Sequence, residues 1–386
     1  MNTLIYLDNN ATTAVAPEVL AAMQPFWSER YGNPSSIYHF GGDVQNEIEQ
    51  ARFQVAAMLG SQPEEVIFTG SGTEGDNTAI FGALDVIDPD RRHIITSQVE
   101  HPAVQTVCRY LTTKGYRLTE LRVDAQGSLD LSQLQDAITP DTALVSIMWA
   151  NNETGVIFPM AEIAAIVKAQ GVLLHTDAVQ ASGKIPIDVS QVPVDLLTIS
   201  GHKFHAPKGV GALYIRKGTR IRPYIKGGHQ EGGKRAGTEN VAGIVGLGRA
   251  SELAIAHLAE ENDRVRKLRD KLEQGILSSC KDAIVNGSAD RTPNTVNISF
   301  KYIEGEAILL MLDDHGICAS SGSACTSGSL EPSHVMRAMG VPFTAAHGSI
   351  RFSLSVYNTS ADIDRVLEVL PPIVDRLREI SPFVED

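Results

Sequence analysis

Two side chains that could share one piece of chemistry stand just past apolar runs. Asp177 ends "LLHTD", and Lys203 ends "LLTISGHK". In open α/β sheets, ligands bind beyond the carboxyl ends of the strands. A carboxylate leaving an apolar run is costly to bury unless a cation or donor meets it. Taken singly, Asp177 also reads as a helix cap and Lys203 as a surface lysine. A third element bears on both. Residues 70–75 read "GSGTEG", between the strand-like "EEVIFTG" and the helical "EGDNTAIFGALDVI". Three readings of this turn stand open: a dinucleotide motif of the G-x-G-x-x-G kind, a plain tight turn, or a cradle for a single phosphate. In the last, backbone N–H groups around Gly72 and Thr73 hold the phosphate, with the Thr73 hydroxyl as an added donor. The dinucleotide reading is the weakest of the three. The motif follows a long helical stretch, and the next strand, "RHIITS", does not end in the acid that would hold a ribose hydroxyl.

A lysine, an acid and a phosphate turn together match one cofactor, pyridoxal 5'-phosphate. It needs a lysine for a Schiff base, an acid at the pyridinium nitrogen and a phosphate pocket. Ser200 and His202 flank the lysine as further phosphate donors. His101, opening "HPAVQTVCRYLTTKG", reads either as a group lying on the cofactor ring or as a helix cap. Asn152, in "WANNETG", reads as a partner for the ring hydroxyl or as a turn residue.

A thiol completes the set. Residues 320–329 read "SSGSACTSGS", all Ser, Gly, Ala or Thr except for Cys325. A thiol acts as a nucleophile only as thiolate. No Lys, Arg or His lies within eight residues of Cys325 on either side, so any lowering of its pKa must come from groups distant in sequence. Near the end, "GSIRFSLS" alternates Ile350, Phe352 and Leu354 with Arg351, Ser353 and Ser355. Period two sets Arg351 on the polar face of a strand, where its planar fork suits a carboxylate. Cys108 and Cys318 read as small core residues, and Cys280 as the end of a helix.

These residues must be positioned by a large frame. Apolar runs at 64–70, 92–97, 142–150, 172–178, 194–200 and 210–218 alternate with helical segments at 74–87, 101–115 and 160–171. That order predicts a mostly parallel sheet covered on both faces. A charged helix is expected at 258–279, then strands at 294–300 and 348–355. The expected division is a large α/β domain over 13–256 and a smaller α+β domain formed by 1–12 with 257–386. The 386 residues carry 46 acids against 33 bases, a net charge of −13, which argues against nucleic acid or an anionic membrane as partner. Four cysteines make no disulfide framework in a chain of this length. No leader peptide or long uncharged apolar run is visible, so the expected compartment is the cytoplasm.

The segments "YLDNNATT" (6–13), "YGNPSS" (31–36), "VEHPAV" (99–104), "MWANNETG" (148–155), "HTDAVQ" (175–180), "SGHKFHAPKGVG" (200–211), "RAGTEN" (235–240) and "SSGSACTSGSLEPSHVMRAM" (320–339) together resemble the cysteine desulfurases. The last is most similar to the NifS type, which supplies sulfur for nitrogenase clusters. The resemblance covers nearly the whole chain and implies the type I fold of pyridoxal-phosphate enzymes, aspartate-aminotransferase-like. It implies Lys203 as the Schiff-base lysine and Asp177 at the ring nitrogen. Gln180 and Asn152 would contact the ring hydroxyl, and Gly72, Thr73, Ser200 and His202 would hold the phosphate. Thr238 would reach the phosphate of a second subunit, making a homodimer. His101 would stack on the ring and carry protons, and Arg351 and Asn152 would meet the substrate. Cys325 would take sulfur from L-cysteine as a persulfide, leave alanine, and pass the sulfur to an iron–sulfur scaffold or other acceptor protein, with transient contact to iron. Two other readings stay open: a selenocysteine-lyase-like enzyme, which depends less on the loop thiol, and a sulfur carrier or assembly scaffold.

Overall fold

A computed structural model describes residues 4–288, 290–321 and 332–382. Cys325 therefore lies outside the described residues. After the short strand β1 (Ile5–Tyr6) come the seven strands of the main sheet: β2 (Val66–Thr69), β3 (His93–Ser97), β4 (Arg117–Leu121), β5 (Thr142–Ser146), β6 (Leu173–Asp177), β7 (Leu196–Ser200) and β8 (Gly211–Ile215). Their order is β2-β8-β7-β6-β5-β3-β4. All neighbours from β7 to β4 run parallel, and only β8 runs against its neighbours β7 and β2. The sheet is thus mostly parallel, as the alternation of elements requires. β4 was not expected. It is half-buried at the sheet edge and carries Arg117 and Glu120, so it lacks the apolar run that marks the inner strands.

The topology overturns the dinucleotide reading of "GSGTEG". A dinucleotide unit places its first two strands side by side in parallel. Here β2 pairs only with the antiparallel β8, and β3 lies on the far side of β5.

Another expectation needs correction. The helix expected at 258–279 begins seventeen residues earlier. One helix runs over Val241–Glu260, capped by Asn240, passes through a π-helical turn at Glu261–Val265 and continues over Arg266–Ser279. The first part is rich in Gly and Ala and apolar without a strong stripe, because it is a core helix packed on His39–Leu59. Gly248 lies so close to that helix that a Cβ would stand 2.6 Å from the Ala51 Cα. Half-charged periodicity, the signal used to find the helix, begins only where it leaves that core.

Beyond it, β9 (Ala283–Asn286), β10 (Thr295–Phe300) and β12 (Ser349–Ser353) form an antiparallel sheet in the order β12-β10-β9, while β11 (Ile317–Cys318) pairs in parallel with β1. Ile298, Phe300, Ile350 and Phe352 are fully buried in one apolar cluster with Ile5, Leu7 and the helix Ser360–Ile380. Each such side chain contributes roughly 1.5–3 kcal/mol by leaving water. A one-residue slip of β12 would turn Arg351 into that cluster, so the register is strongly specified.

Candidate active site

The functional side chains gather where parallel strands end. Asp177 is the last residue of β6, and Ser200 the last of β7. Lys203 closes a 3-10 turn, Gly201–Lys203, directly after β7. The helix Gly72–Leu84 begins just past β2 with Ser71 as its cap. Its first N–H groups, at Gly72 and Thr73, have no intrahelical partner and form an anion cradle. The cradle is tight: a Cβ at Gly72 would stand 2.9 Å from Val179 Cγ2 and 3.2 Å from the Ser200 Cβ. Only glycine lets the helix start close over the strand ends.

Lys203 Nζ donates to the backbone carbonyls of Asn10 (2.7 Å) and Ala11 (2.8 Å). Burial and the Arg351 charge lower its pKa to about 8, against the pull of Asp177 and Asp8. The amine is therefore closer to its neutral, nucleophilic form than a surface lysine. Asp177 is buried, with Oδ1 accepting from the Val179 N–H at 2.9 Å. Burial and the charge of Asp76 raise its pKa to about 7, opposed by His101, the Val179 hydrogen bond and His175. Among the described residues no Lys or Arg forms an ion pair with it. A buried carboxyl held up in this way fits a cationic ring nitrogen, which would return it to the carboxylate.

His101 combines the two roles that the sequence left as alternatives. It is the N-cap of the helix Pro102–Thr112, its Nδ1 accepting from the Ala103 N–H at 3.1 Å. An accepting Nδ1 leaves the ring proton on Nε2. One edge of the ring is exposed. The protein packed around the rest, and the charges of Lys203 and His334, hold its pKa below the usual histidine value against the pull of Asp177. His101 is thus a neutral imidazole with a defined tautomer. His202 places Nδ1 3.2 Å from Thr12 Oγ1, and burial together with Lys203 pushes its pKa down to about 4. It is therefore a neutral imidazole and adds no charge to the site.

Arg351 points away from the apolar cluster, as alternation predicts, yet the whole of β12 is buried. It ion-pairs with Asp8 (2.6 Å) and donates to the Asn152 carbonyl (3.0 Å), while its Nε has no partner among the described residues. Asn152 is held here through its backbone, which also accepts from Asn10 Nδ2 at 3.2 Å. Gln180 is buried, its Nε2 donating to the Asn10 carbonyl at 3.0 Å. Thr238 stands apart: it is exposed, in the loop before Val241, and among the described residues no hydrogen bond joins it to the others.

Sequence reasoning assigned no role to Asn10, Glu100 or Lys184. Asn10 acts through a carbonyl, which carries no side-chain signature. Glu100 is fully buried beside His101; Ser97 Oγ donates to it at 2.6 Å and the Met148 N–H to both its oxygens at 3.1 Å. Burial pushes its pKa up to about 8 against those bonds. The folded chain then holds a proton that the unfolded chain releases above pH 4.5, so this group's contribution to stability falls as pH rises from 4.5 towards 8. Glu100→Gln removes that dependence. Its melting temperature relative to the parent is expected to rise steadily between pH 5 and pH 8 in parallel thermal scans; a flat difference refutes the protonated carboxyl.

The chain matches the family model described as aminotransferase class-V over residues 5–366. It is 60% identical to a protein from Trichormus azollae named cysteine desulfurase, over 99% of this chain and 96% of that one. It is 56% identical to the cysteine desulfurase NifS of Azotobacter vinelandii, over 98% and 94%. A solved structure titled NifS-like protein superposes with a TM-score of 0.92 at 41% identity, covering 97% of this chain and all of that one.

Proposed function

The chain belongs to the class-V aminotransferase family and is a pyridoxal-phosphate-dependent cysteine desulfurase of the NifS type, and we propose that its own residues divide the work as follows. The donor set fits the cofactor: a lysine held by two carbonyls, a buried carboxyl with no Lys or Arg ion pair among the described residues, and a helix N-terminus narrowed by Gly72. Asp177 would hold the ring nitrogen, Gln180 and Asn152 the ring oxygen, and Gly72, Thr73, Ser200 and His202 the phosphate. The bound cofactor supplies an electron sink for negative charge at the substrate Cα.

Arg351 binds the carboxylate of L-cysteine, its guanidinium already aimed by Asp8 and Asn152. Lys203, once released, takes the α-proton on Nζ. The lowered pKa suits a base working near neutral pH. The Cys325 thiolate attacks the substrate sulfur. A new S–S bond forms, the substrate C–S bond breaks, and its electron pair remains with carbon. Two protons complete alanine: one goes to that carbon, which His101, with its proton on Nε2 and close to Lys203 and Asp177, can carry, and the other returns from Lys203 Nζ to the α-carbon. The persulfide on Cys325 then passes its outer sulfur to an acceptor, for which we propose an iron–sulfur scaffold in the cytoplasm. We propose a homodimer, in which the exposed Thr238 reaches the partner's phosphate.

The observation that carries this reading is the meeting of Lys203, Asp177 and His101 at one set of strand ends, each acting on the charge of the others. The purified chain is expected to bind pyridoxal phosphate with a visible absorption band and to release alanine and sulfide from L-cysteine under a thiol reductant. A chain that takes up no cofactor overturns it. Arg351→Lys keeps the charge but loses the planar fork. Its KM for L-cysteine is expected to rise by roughly tenfold or more, with cofactor uptake unchanged. An unaltered KM in steady-state assays assigns the carboxylate elsewhere.

A further inference from the structure

Behind Gln180 lies a buried lysine that the reaction scheme does not use. Lys184 is 5% exposed. Its Nζ donates to Gln180 Oε1 at 3.2 Å and more weakly to the Gln180 carbonyl at 3.4 Å. Gly183, with φ +74°, turns the chain so that Lys184 folds back over Gln180. A Cβ at Gly183 would meet the Phe204 Cβ at 2.8 Å. On the other side, Asn262 Nδ2 donates to the Lys184 carbonyl at 3.1 Å. Asn262 belongs to the π-helical turn Glu261–Val265, and such turns interrupt α-helices frequently at functional sites. Glu261 of this turn is nine-tenths buried, its Oε2 has no hydrogen-bond partner among the described residues, and it lines a small pocket together with Lys184, Lys203, His205 and His257. Its charge acts on Lys184 and opposes the downward push on the lysine's pKa from burial and from Lys203.

We propose that Lys184 is a positioning residue that fixes the orientation of the Gln180 amide. The reason is the donor and acceptor inventory. An ammonium has three donors and no acceptor. In its charged form it faces the amide oxygen of Gln180, as it does here at 3.2 Å, and Nε2 then lies on the opposite side. There one N–H of Nε2 goes to the Asn10 carbonyl, which also receives Lys203. The second N–H is left to point at the cofactor. A hydrogen-bond chain thus runs Lys184–Gln180–Asn10–Lys203, and it makes Gln180 present a donor to the ring oxygen. Without Lys184, the amide could flip and turn its own oxygen on that oxygen. The helix through residue 261 backs this chain with a carboxylate, so the π-helical turn has a use at the site.

The proposal rests on the cofactor reading above, and the test separates the two. Pyridoxal phosphate is titrated into the cofactor-free chain by absorbance, for the parent, Lys184→Met, Gln180→Ala and the double variant. Lys184→Met is expected to weaken cofactor binding roughly five- to tenfold, the size of one buried hydrogen bond. It is also expected to move the visible band, whose position reports the donors on the ring. In the Gln180→Ala background the same substitution is expected to change binding by less than about twofold, because its partner is gone. Lys184→Arg, which keeps a pure donor, is expected to restore both. Equal effects in the two backgrounds, or no band shift, overturn the positioning role. If Lys184→Met does not fold, Lys184→Gln enters the same cycle, since it offers donor and acceptor alike and no longer dictates the amide. Should neither fold, Lys184 serves the fold and not Gln180, which also overturns the proposal. A parent chain that binds no pyridoxal phosphate overturns the cofactor reading itself.

Discussion

Lys203→Ala is expected to abolish alanine and sulfide production from L-cysteine, by at least about 10³-fold, and to lose the visible band of covalently held cofactor. The size follows from two roles falling on one atom. In the proposed reaction Nζ is both the covalent anchor and the base for the α-proton, and a positioned base alone contributes on the order of 10²–10⁴ in rate. The fold should survive, because among the described residues Lys203 Nζ hydrogen-bonds only to the carbonyls of Asn10 and Ala11, and Lys203 belongs to no apolar cluster there. Circular dichroism would verify that, and an assay of alanine release gives the loss. The same amine predicts a pH dependence in the parent. Its pKa lies at about 8, lowered by burial and by Arg351. Covalent loading of the cofactor-free chain needs the neutral amine, so its rate is expected to climb as pH rises to about 8 and to flatten above. A variant that keeps sulfide release within tenfold of the parent would remove Lys203 from the chemistry.

Cys325→Ala is expected to have the opposite signature: full cofactor binding with its colour, but a loss of persulfide and sulfide of at least about 10²-fold. The groups at Lys203, Asp177 and Gly72 are set by described residues, among them Asn10, Ala11, Val179 and Ser200. Sulfur removal needs a thiolate to accept it. Alkaline gel analysis of persulfide after one turnover, beside an absorbance scan, checks both halves. Retained cysteine activity would point instead to a selenocysteine-lyase-like enzyme, in which the loop thiol is dispensable. Full sulfur delivery by Lys203→Ala would point to a carrier.

Much of this site was legible along the chain because its side chains sit at the ends of apolar runs. Asp177 and Lys203 stand where strand ends place ligands, and the alternation in "GSIRFSLS" oriented Arg351 correctly. The helix over Val241–Ser279 was read short, since its first half is buried and lacks the charged face that marks a surface helix. The edge strand Arg117–Leu121 escaped for the converse reason, carrying too few apolar residues.

The candidate reacting groups, the cofactor they suit and most of the order of strands and helices were legible in residue type and spacing, and the resemblance to cysteine desulfurases implied their roles. Such signals are local and travel with the sequence. The settings of those groups were decided by the tertiary structure. The carbonyl of Asn10 receives both Lys203 and Gln180 from more than 160 positions away. His101 gains its tautomer from a helix start, and Lys184 lies over Gln180 only because Gly183 turns the chain and the π-helical turn closes behind it. Backbone carbonyls look alike in every sequence, and a buried lysine is written like an exposed one. What each faces is settled only when distant segments pack.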